Sequence, residues 1–295
     1  MAIFTGSGTA IVTPFSADES IDFAEFGRLI DFQIENGTDA IVVCGTTGEA
    51  STLTDDEHIE CIRFAVAHVN ERVPVIAGAG SNHTHHGVKL CIEAQKAGAD
   101  ALLLVTPYYN KATQNGLVQH FGIMAGSVDL PIIVYNVPSR TSLNIEPATM
   151  LKLSKIENIV ATKEASHNLG QITEIAYLCG DKIDIYSGND DDIITVLALG
   201  GKGVISVLSN IVPKDVHHMV IQYHEGKHKE ALALQLKTIP LIRALFSEVS
   251  PVPVKEALNL MGMNVGGYRR PLTAIEPQNK ELLVKAMKEY GLLRV

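Results

Sequence analysis

A chain of 295 residues with 46% hydrophobic and 19% charged residues is too apolar for intrinsic disorder and long enough to bury a large core. Its formal net charge of -9 comes with scattered lysines and arginines, of which only Arg269 and Arg270 adjoin, so no basic stripe meets a nucleic-acid backbone and anionic lipid is disfavoured. No apolar run approaches the roughly 20 residues of a membrane helix, so neither nucleic acid nor a membrane is an expected partner.

The opening MAIFTGSGTAIVTPF has no basic leader, long apolar core or small-residue cleavage pattern, so it reads as mature protein with a cytoplasmic location. Within it, TAIVTPF (9–15) is the first of eight short apolar runs, each rich in β-branched residues and followed by glycine or polar residues. DFAEFGRLIDFQIENG then changes to helical period, with Phe23, Phe26, Leu29, Ile30 and Ile34 on one face and Gly37 closing it. The second run, AIVVCGTTGE (40–49), is followed by DDEHIECIRFAVAHV, for which Thr54 and Glu57 make a capping box. PVIAGAGSN (74–82) precedes the helical HTHHGVKLCIEAQKAG, ALLLVTPYYN (101–110) is the fourth strand, and PIIVYNVPSR (131–140) precedes the helical EPATMLKLSK. IVATKEAS (159–166), IDIYSGND (183–190) and GVISVLSN (203–210) complete the strands.

Strands apolar on consecutive residues are those covered on both faces, as in parallel sheets. Eight strand-helix units predict a closed (β/α)8 barrel over residues 1–225, with an open doubly wound sheet as the alternative because period does not show closure. Beyond it HKEALALQLKTIPLIRALFSEV, SPVPVKEALNLMG and PQNKELLVKAMKEYGLL have helical period with no strand between them. They predict a C-terminal helical region, 226–295, packed on the barrel. The four cysteines, Cys44, Cys61, Cys91 and Cys179, form no C-x-x-C pair and read as reduced, inert core residues.

In such a barrel the chemistry lies at the C-terminal ends of the strands. The polar residues there are Thr46, Thr47, Tyr108, Tyr109, Tyr135, Arg140, Lys163 and Ser206, with Gly188 among them, so three phenols, one lysine and one arginine are expected at one mouth. A lysine desolvated there loses its ammonium form and can attack a carbonyl to give a Schiff base. The competing reading of Lys163 is an ion pair with Glu164 in a solvated loop. Tyr135 is placed to relay protons, against the plainer role of filling the barrel top. Arg140 offers a bidentate fork for a carboxylate, or a surface ion pair, and the glycines of GTTGE let backbone N–H groups reach a carboxylate.

GTTGE (45–49), PYYN (107–110), YNVPSRT (135–141), KEAS (163–166), SGND (187–190), GVISV (203–207) and the PVPVKEALNLMG helix together resemble the dihydrodipicolinate synthase family, within the pyruvate-dependent class I aldolase superfamily of TIM barrels. The resemblance spans nearly the whole chain. It implies a 4-hydroxy-tetrahydrodipicolinate synthase activity, condensing pyruvate with L-aspartate 4-semialdehyde in the diaminopimelate route of lysine biosynthesis. By the same resemblance Lys163 binds pyruvate as an imine, and Tyr135, Thr46 and Tyr109 form a proton relay, with Tyr109 supplied by the adjacent subunit of a tight dimer. Thr46 and Thr47 hold the pyruvate carboxylate, Arg140 holds the semialdehyde carboxylate, and Gly188 and Ile205 line the pocket. No cofactor or metal is implied beyond the covalent imine, and the expected assembly is a homotetramer built as a dimer of dimers.

Members inhibited by lysine bind it in a pocket that Ser51, Asp55, His58, Asn82, His86 and Tyr108 match here. Asp55 stands where such members tend to have histidine and His86 where they have an acid, which removes a charge-assisted hydrogen bond of about 1.5–3 kcal/mol and implies weak or absent feedback. Rival functions are 2-keto-3-deoxygluconate aldolase and N-acetylneuraminate lyase, which share the lysine chemistry, although Arg140 and the paired threonines favour the semialdehyde enzyme over the sialic acid one. From other classes come a non-catalytic binding protein on the same scaffold and metal-assisted hydrolysis through His83, His85 and His86 or His217 and His218, whose spacing matches no strong zinc pattern. GAG (78–80) lacks the third glycine of a dinucleotide fingerprint, since His83 occupies that position.

Overall fold

A computed structural model describes residues 2–293. Eight parallel strands close into a barrel in sequential order: β1 (Gly6–Ala10), β2 (Ala40–Val43), β3 (Val75–Gly78), β4 (Ala101–Val105), β5 (Ile132–Asn136), β6 (Ile159–Glu164), β7 (Asp184–Ser187) and β8 (Gly203–Ser206). β8 pairs back onto β1 through Gly6–Gly203 to Thr9–Ser206, which excludes the open sheet. Around it run α1 (Phe23–Glu35), α2 (Asp55–Val69), α3 (Thr84–Lys96), α4 (Gln114–Ala125), the short α5 (Pro138–Thr141), α6 (Pro147–Leu153), α7 (Leu169–Cys179), α8 (Ile193–Ala198) and α9 (Pro213–His224). Three further helices, α10 (His228–Leu245), α11 (Val252–Leu260) and α12 (Pro277–Tyr290), follow without an intervening strand.

The consecutive apolar runs are explained by two cores. On β2, Ile41 and Val43 pack outward beneath the helices while Ala40 and Val42 face the barrel interior; on β5, Ile132 and Val134 face out, Ile133 and Tyr135 in. Successive side chains alternate, so both parities must be apolar when both faces are covered. The predicted helix faces pack against the outer layer: Phe26, Leu29 and Ile30 of α1 are buried, with Phe23 and Ile34 partly so. Each such large apolar side chain contributes roughly 1.5–3 kcal/mol on burial. The Thr54–Glu57 capping box forms at α2, and all four cysteines are buried free thiols.

The first strand lies earlier than its sequence pattern suggests, at Gly6–Ala10 and not 9–15. After Ala10 the ladder gives way: Val12 N–H donates to the Asn210 side chain at 3.2 Å, Pro14 has no N–H, and Phe15 N–H donates to Val265 O at 3.1 Å. The early glycines masked the strand's true start. Gly8 is needed there, because a Cβ would lie 2.8 Å from the Phe4 ring. That ring stacks on Tyr186 at 4.4 Å between centroids, and the Tyr186 hydroxyl donates to Phe4 O at 2.6 Å. The two aromatics fill the interior at the N-terminal end of the strands.

The GAG segment serves strand packing: a Cβ at Gly78 would meet Cys44 O at 2.1 Å, and one at Gly80 the Val105 nitrogen at 2.4 Å. No helix among the described residues is long and apolar enough to cross a membrane.

Candidate active site

Strand parity aims Lys163 inward. Ala161 and Ala165, two residues to either side, belong to the interior core, and the pairing sets Tyr135 beside Lys163 on one flank and Tyr186 on the other. Lys163 is 5% exposed, with Nζ 4.3 Å from the centroid of the Tyr135 ring. Burial pulls its pKa down to about 7, opposed by the negative charge of Asp190 and assisted by the positive charge of Arg140. Half of these amines are then neutral near pH 7.

The adjacent Glu164 is not its ion-pair partner. Pointing to the other face, Glu164 accepts from Asn136 Nδ2 at 3.0 and 3.1 Å and from Ser166 N–H at 2.9 Å. The solvated-loop reading of Lys163 therefore gives way to an enclosed amine.

A cavity of about 300 Å³ opens at this end of the barrel, with Thr46, Tyr108, Tyr135 and Arg140 in its wall. Burial raises the Tyr135 phenol above its ordinary pKa, against the Arg140 charge and the Thr46 hydroxyl, which pull it down, so at neutral pH it is a proton-bearing donor. Arg140, in the short α5, stands exposed at the mouth and spends one N–H on Ser250 O at 3.3 Å. Thr46 is exposed and Thr47 buried in the turn after β2. Ile205 is buried on the inner face of β8, and Gly188 N–H donates to Glu164 O at 2.8 Å.

One expected member does not join them. Tyr109 is 92% exposed, in a left-handed backbone conformation with φ of 69°, so two phenols of this chain, not three, reach the mouth. A turn at the tip of a strand directs its side chain outward, which residue order along PYYN does not reveal.

Asp190 was missed, although its motif was in view. It is buried, accepts from Ser206 Oγ at 2.5 Å and from the Val207 and Leu208 N–H groups at 3.2 and 2.9 Å, and is the acid whose field supports the Lys163 ammonium. Its position as the last letter of SGND, after a strand end, was the available signal.

The same cavity extends to Ser51, Asp55, His58 and His86. Asp55 is already engaged, by His86 Nε2 at 2.9 Å and Lys89 Nζ at 2.7 Å, and these hold its pKa down at about 2. The histidines considered as ligands have other occupations: His86 Nδ1 meets Ser81 Oγ at 3.1 Å and His217 Nδ1 meets Asp39 at 2.8 Å, while His83 and His85 are exposed. His167, Asp191 and Asp192 do bring ligand-type atoms within 4.8 Å of one another, an exposed grouping that is not in the cavity wall.

A family model described as the dihydrodipicolinate synthetase family matches residues 3–290. A 4-hydroxy-tetrahydrodipicolinate synthase of Lachnoclostridium phytofermentans is 58% identical over 294 residues, 99% of this chain and 100% of that protein. One of Caldicellulosiruptor saccharolyticus is 59% identical over 292 residues, 99% of each. The crystal structure of dihydrodipicolinate synthase from Aquifex aeolicus superposes with a TM-score of 0.96 at 45% identity, covering 98% of this chain and 99% of the other.

Proposed function

The chain belongs to the dihydrodipicolinate synthetase family, and from that premise we propose that Lys163 captures pyruvate as a Schiff base which condenses with L-aspartate 4-semialdehyde. The activity is that of a 4-hydroxy-tetrahydrodipicolinate synthase, a lyase of the class I aldolase type in the diaminopimelate route of lysine biosynthesis. The observation that carries the residue assignment is an amine 5% exposed, seated against the Tyr135 ring, with its pKa drawn down to about 7.

In the proposed sequence, neutral Lys163 Nζ adds to the C2 carbonyl of pyruvate, and the carbinolamine oxygen leaves as water. Loss of a C3 proton turns the imine into an enamine, whose C3 attacks the aldehyde carbon of the second substrate while the aldehyde oxygen takes up a proton. The amino group of the adduct then adds to C2, the ring closes, and Lys163 leaves as the free amine. One water is released for each pair of substrates joined. Nitrogen of the protein serves as the electron sink, so the scheme calls for neither cofactor nor metal.

Tyr135 bears the proton that the carbinolamine oxygen needs, and Thr46, beside it in the cavity wall, links the relay outward. Thr46 and Thr47 hold the pyruvate carboxylate, and Arg140, exposed at the mouth, takes the carboxylate of the semialdehyde through its fork. Gly188 and Ile205 bound the space beside the imine. Tyr109 completes the relay of a neighbouring subunit, which fits a phenol turned wholly outward and a homotetramer arranged as a dimer of dimers. On this scheme residues 1–225 supply the reacting groups, residues 226–295 support them, and the enzyme works in the cytoplasm where its small charged substrates are made.

Borohydride reduction in the presence of pyruvate, followed by peptide mass mapping, tests the assignment. A reduced adduct on the peptide containing Lys163, absent from Lys163→Ala, is the expected result. Label on another lysine would overturn it. Parallel turnover assays with 2-keto-3-deoxygluconate and N-acetylneuraminate should give the semialdehyde a large lead.

A further inference from the structure

The turn Gly45–Glu49 follows β2 and carries Thr46 and Thr47. Inside it Gly48 N–H donates to Gly45 O and Glu49 N–H to Thr46 O, each at 3.1 Å. Glu49 adopts a left-handed backbone with φ of 56° and ψ of 32°, a conformation that a non-glycine residue keeps only when its surroundings impose it. Those surroundings come from the far end of the sequence. Lys255, on α11, reaches Glu49 Oε1 at 2.8 Å, with side-chain exposures of 0% and 1%. Its ammonium also donates to Thr13 O at 3.0 Å and lies 4.3 Å from the Phe15 ring centroid. The second carboxylate oxygen accepts from Arg269 N–H at 3.2 Å, and Thr13 Oγ1 donates to Gly48 O at 2.7 Å.

An ion pair this dry is a poor way to stabilise a fold, since desolvating both charges offsets most of their attraction, and apolar residues of the same shape would serve as well. What it supplies is direction: both carboxylate oxygens are fixed, and the backbone they belong to is the one that sets Thr46. We propose that the buried Glu49–Lys255 pair, together with Thr13, is a brace that positions the Gly45–Glu49 turn to receive the carboxylate of the keto acid. Glu49, Lys255 and Thr13 are thus positioning residues, acting through Thr46 and Thr47 without touching substrate. The inference rests on the reading of Lys163 as the pyruvate-binding lysine.

The test compares the full-length enzyme with Glu49→Gln, with the double variant Glu49→Gln/Lys255→Met, which leaves no orphaned ammonium, and with Thr13→Val, which keeps side-chain volume and both charges. Three readouts are taken: the pyruvate concentration that half-saturates borohydride trapping, the KM for the semialdehyde, and the thermal midpoint. Displacing the turn should raise the pyruvate requirement of the Glu49 variants roughly 10- to 100-fold, as expected when a substrate-holding group is misplaced by about 1 Å. The semialdehyde KM should stay in place. Thr13→Val, which leaves the buried Gly48 carbonyl without its donor, should raise the pyruvate requirement roughly 2- to 10-fold, with a thermal midpoint lowered by no more than a few degrees. A lowered midpoint with an unmoved pyruvate requirement would make the pair a fold element only and overturn the brace. If the Glu49 variants do not fold, Thr13→Val decides, and an unchanged requirement there refutes the proposal. Failure of the wild-type enzyme to trap pyruvate would overturn the Lys163 reading itself, whereas trapping with unmoved variants removes the brace alone.

Discussion

The rate at which pyruvate becomes trapped on Lys163 should follow the titration of a single buried amine. An ordinary lysine is neutral in about one molecule in 3,000 at pH 7, whereas an amine whose pKa burial has brought to about 7 is neutral in half. At pH 7 the reactive form is therefore enriched roughly a thousandfold. The sign follows from which form reacts: the nucleophile is the deprotonated amine, so trapping is weak below pH 6, half-maximal near pH 7 and level by about pH 8.5. The assay is cyanoborohydride trapping under saturating pyruvate across about pH 5 to 9.5, read by mass as the fraction of chains modified per unit time. Reductant consumption is corrected with a free-amine control, whose rate should still be climbing about tenfold per pH step at the top of the range. A protein rate that climbs in parallel with that control, without levelling, would mean that Lys163 is an ordinary solvated lysine, and the argument from burial would be refuted.

Tyr135→Phe keeps the ring against Lys163 and removes its proton, so turnover should fall roughly 10²- to 10⁴-fold; steady-state rates equal to wild type would take Tyr135 out of the relay. Arg140→Ala should raise the KM for the semialdehyde and leave the pyruvate dependence of trapping in place, and a defect confined to pyruvate would show that the fork holds the other carboxylate. Because Asp55 is committed to His86 and Lys89, and no acid replaces His86, added lysine should inhibit weakly or not at all. Inhibition at millimolar concentration or below in a steady-state assay would contradict this.

The barrel was legible because its signal is redundant. Eight β-branched runs are covered on both faces, and the polar residues ending them mark the mouth. Closure was the expectation from eight strand-helix units and it forms through the β8–β1 pairing, although period alone left the open sheet as an alternative, and Gly6 and Gly8 hid where β1 begins. Lys163 was found because a charge after IVAT conflicts with its setting, and the parity of Ala161 and Ala165 explains how that conflict is resolved inward. Of the three phenols expected at one mouth, Tyr109 turns away from that of its own chain, because side-chain direction in a turn depends on φ, which PYYN does not encode. Asp190 and the Glu49–Lys255 pair escaped for another reason: their partners, the Ser206 hydroxyl and the opposite charge, are 16 and 206 residues away, and long-range pairing of buried polar groups leaves no local periodicity to read.

Phe4 and Tyr186, stacked within the lower barrel, have a bearing on kinetics. With that end filled, the approach the proposed chemistry uses is the opposite one, at the mouth where Thr46, Tyr135 and Arg140 line the cavity. On the proposed chemistry, a keto acid linked to the lysine would lie below the aldehyde that follows it, and a guest seated over the amine first would bar the passage. Compulsory order of addition, keto acid ahead of aldehyde, thus follows from a vessel loaded through its mouth.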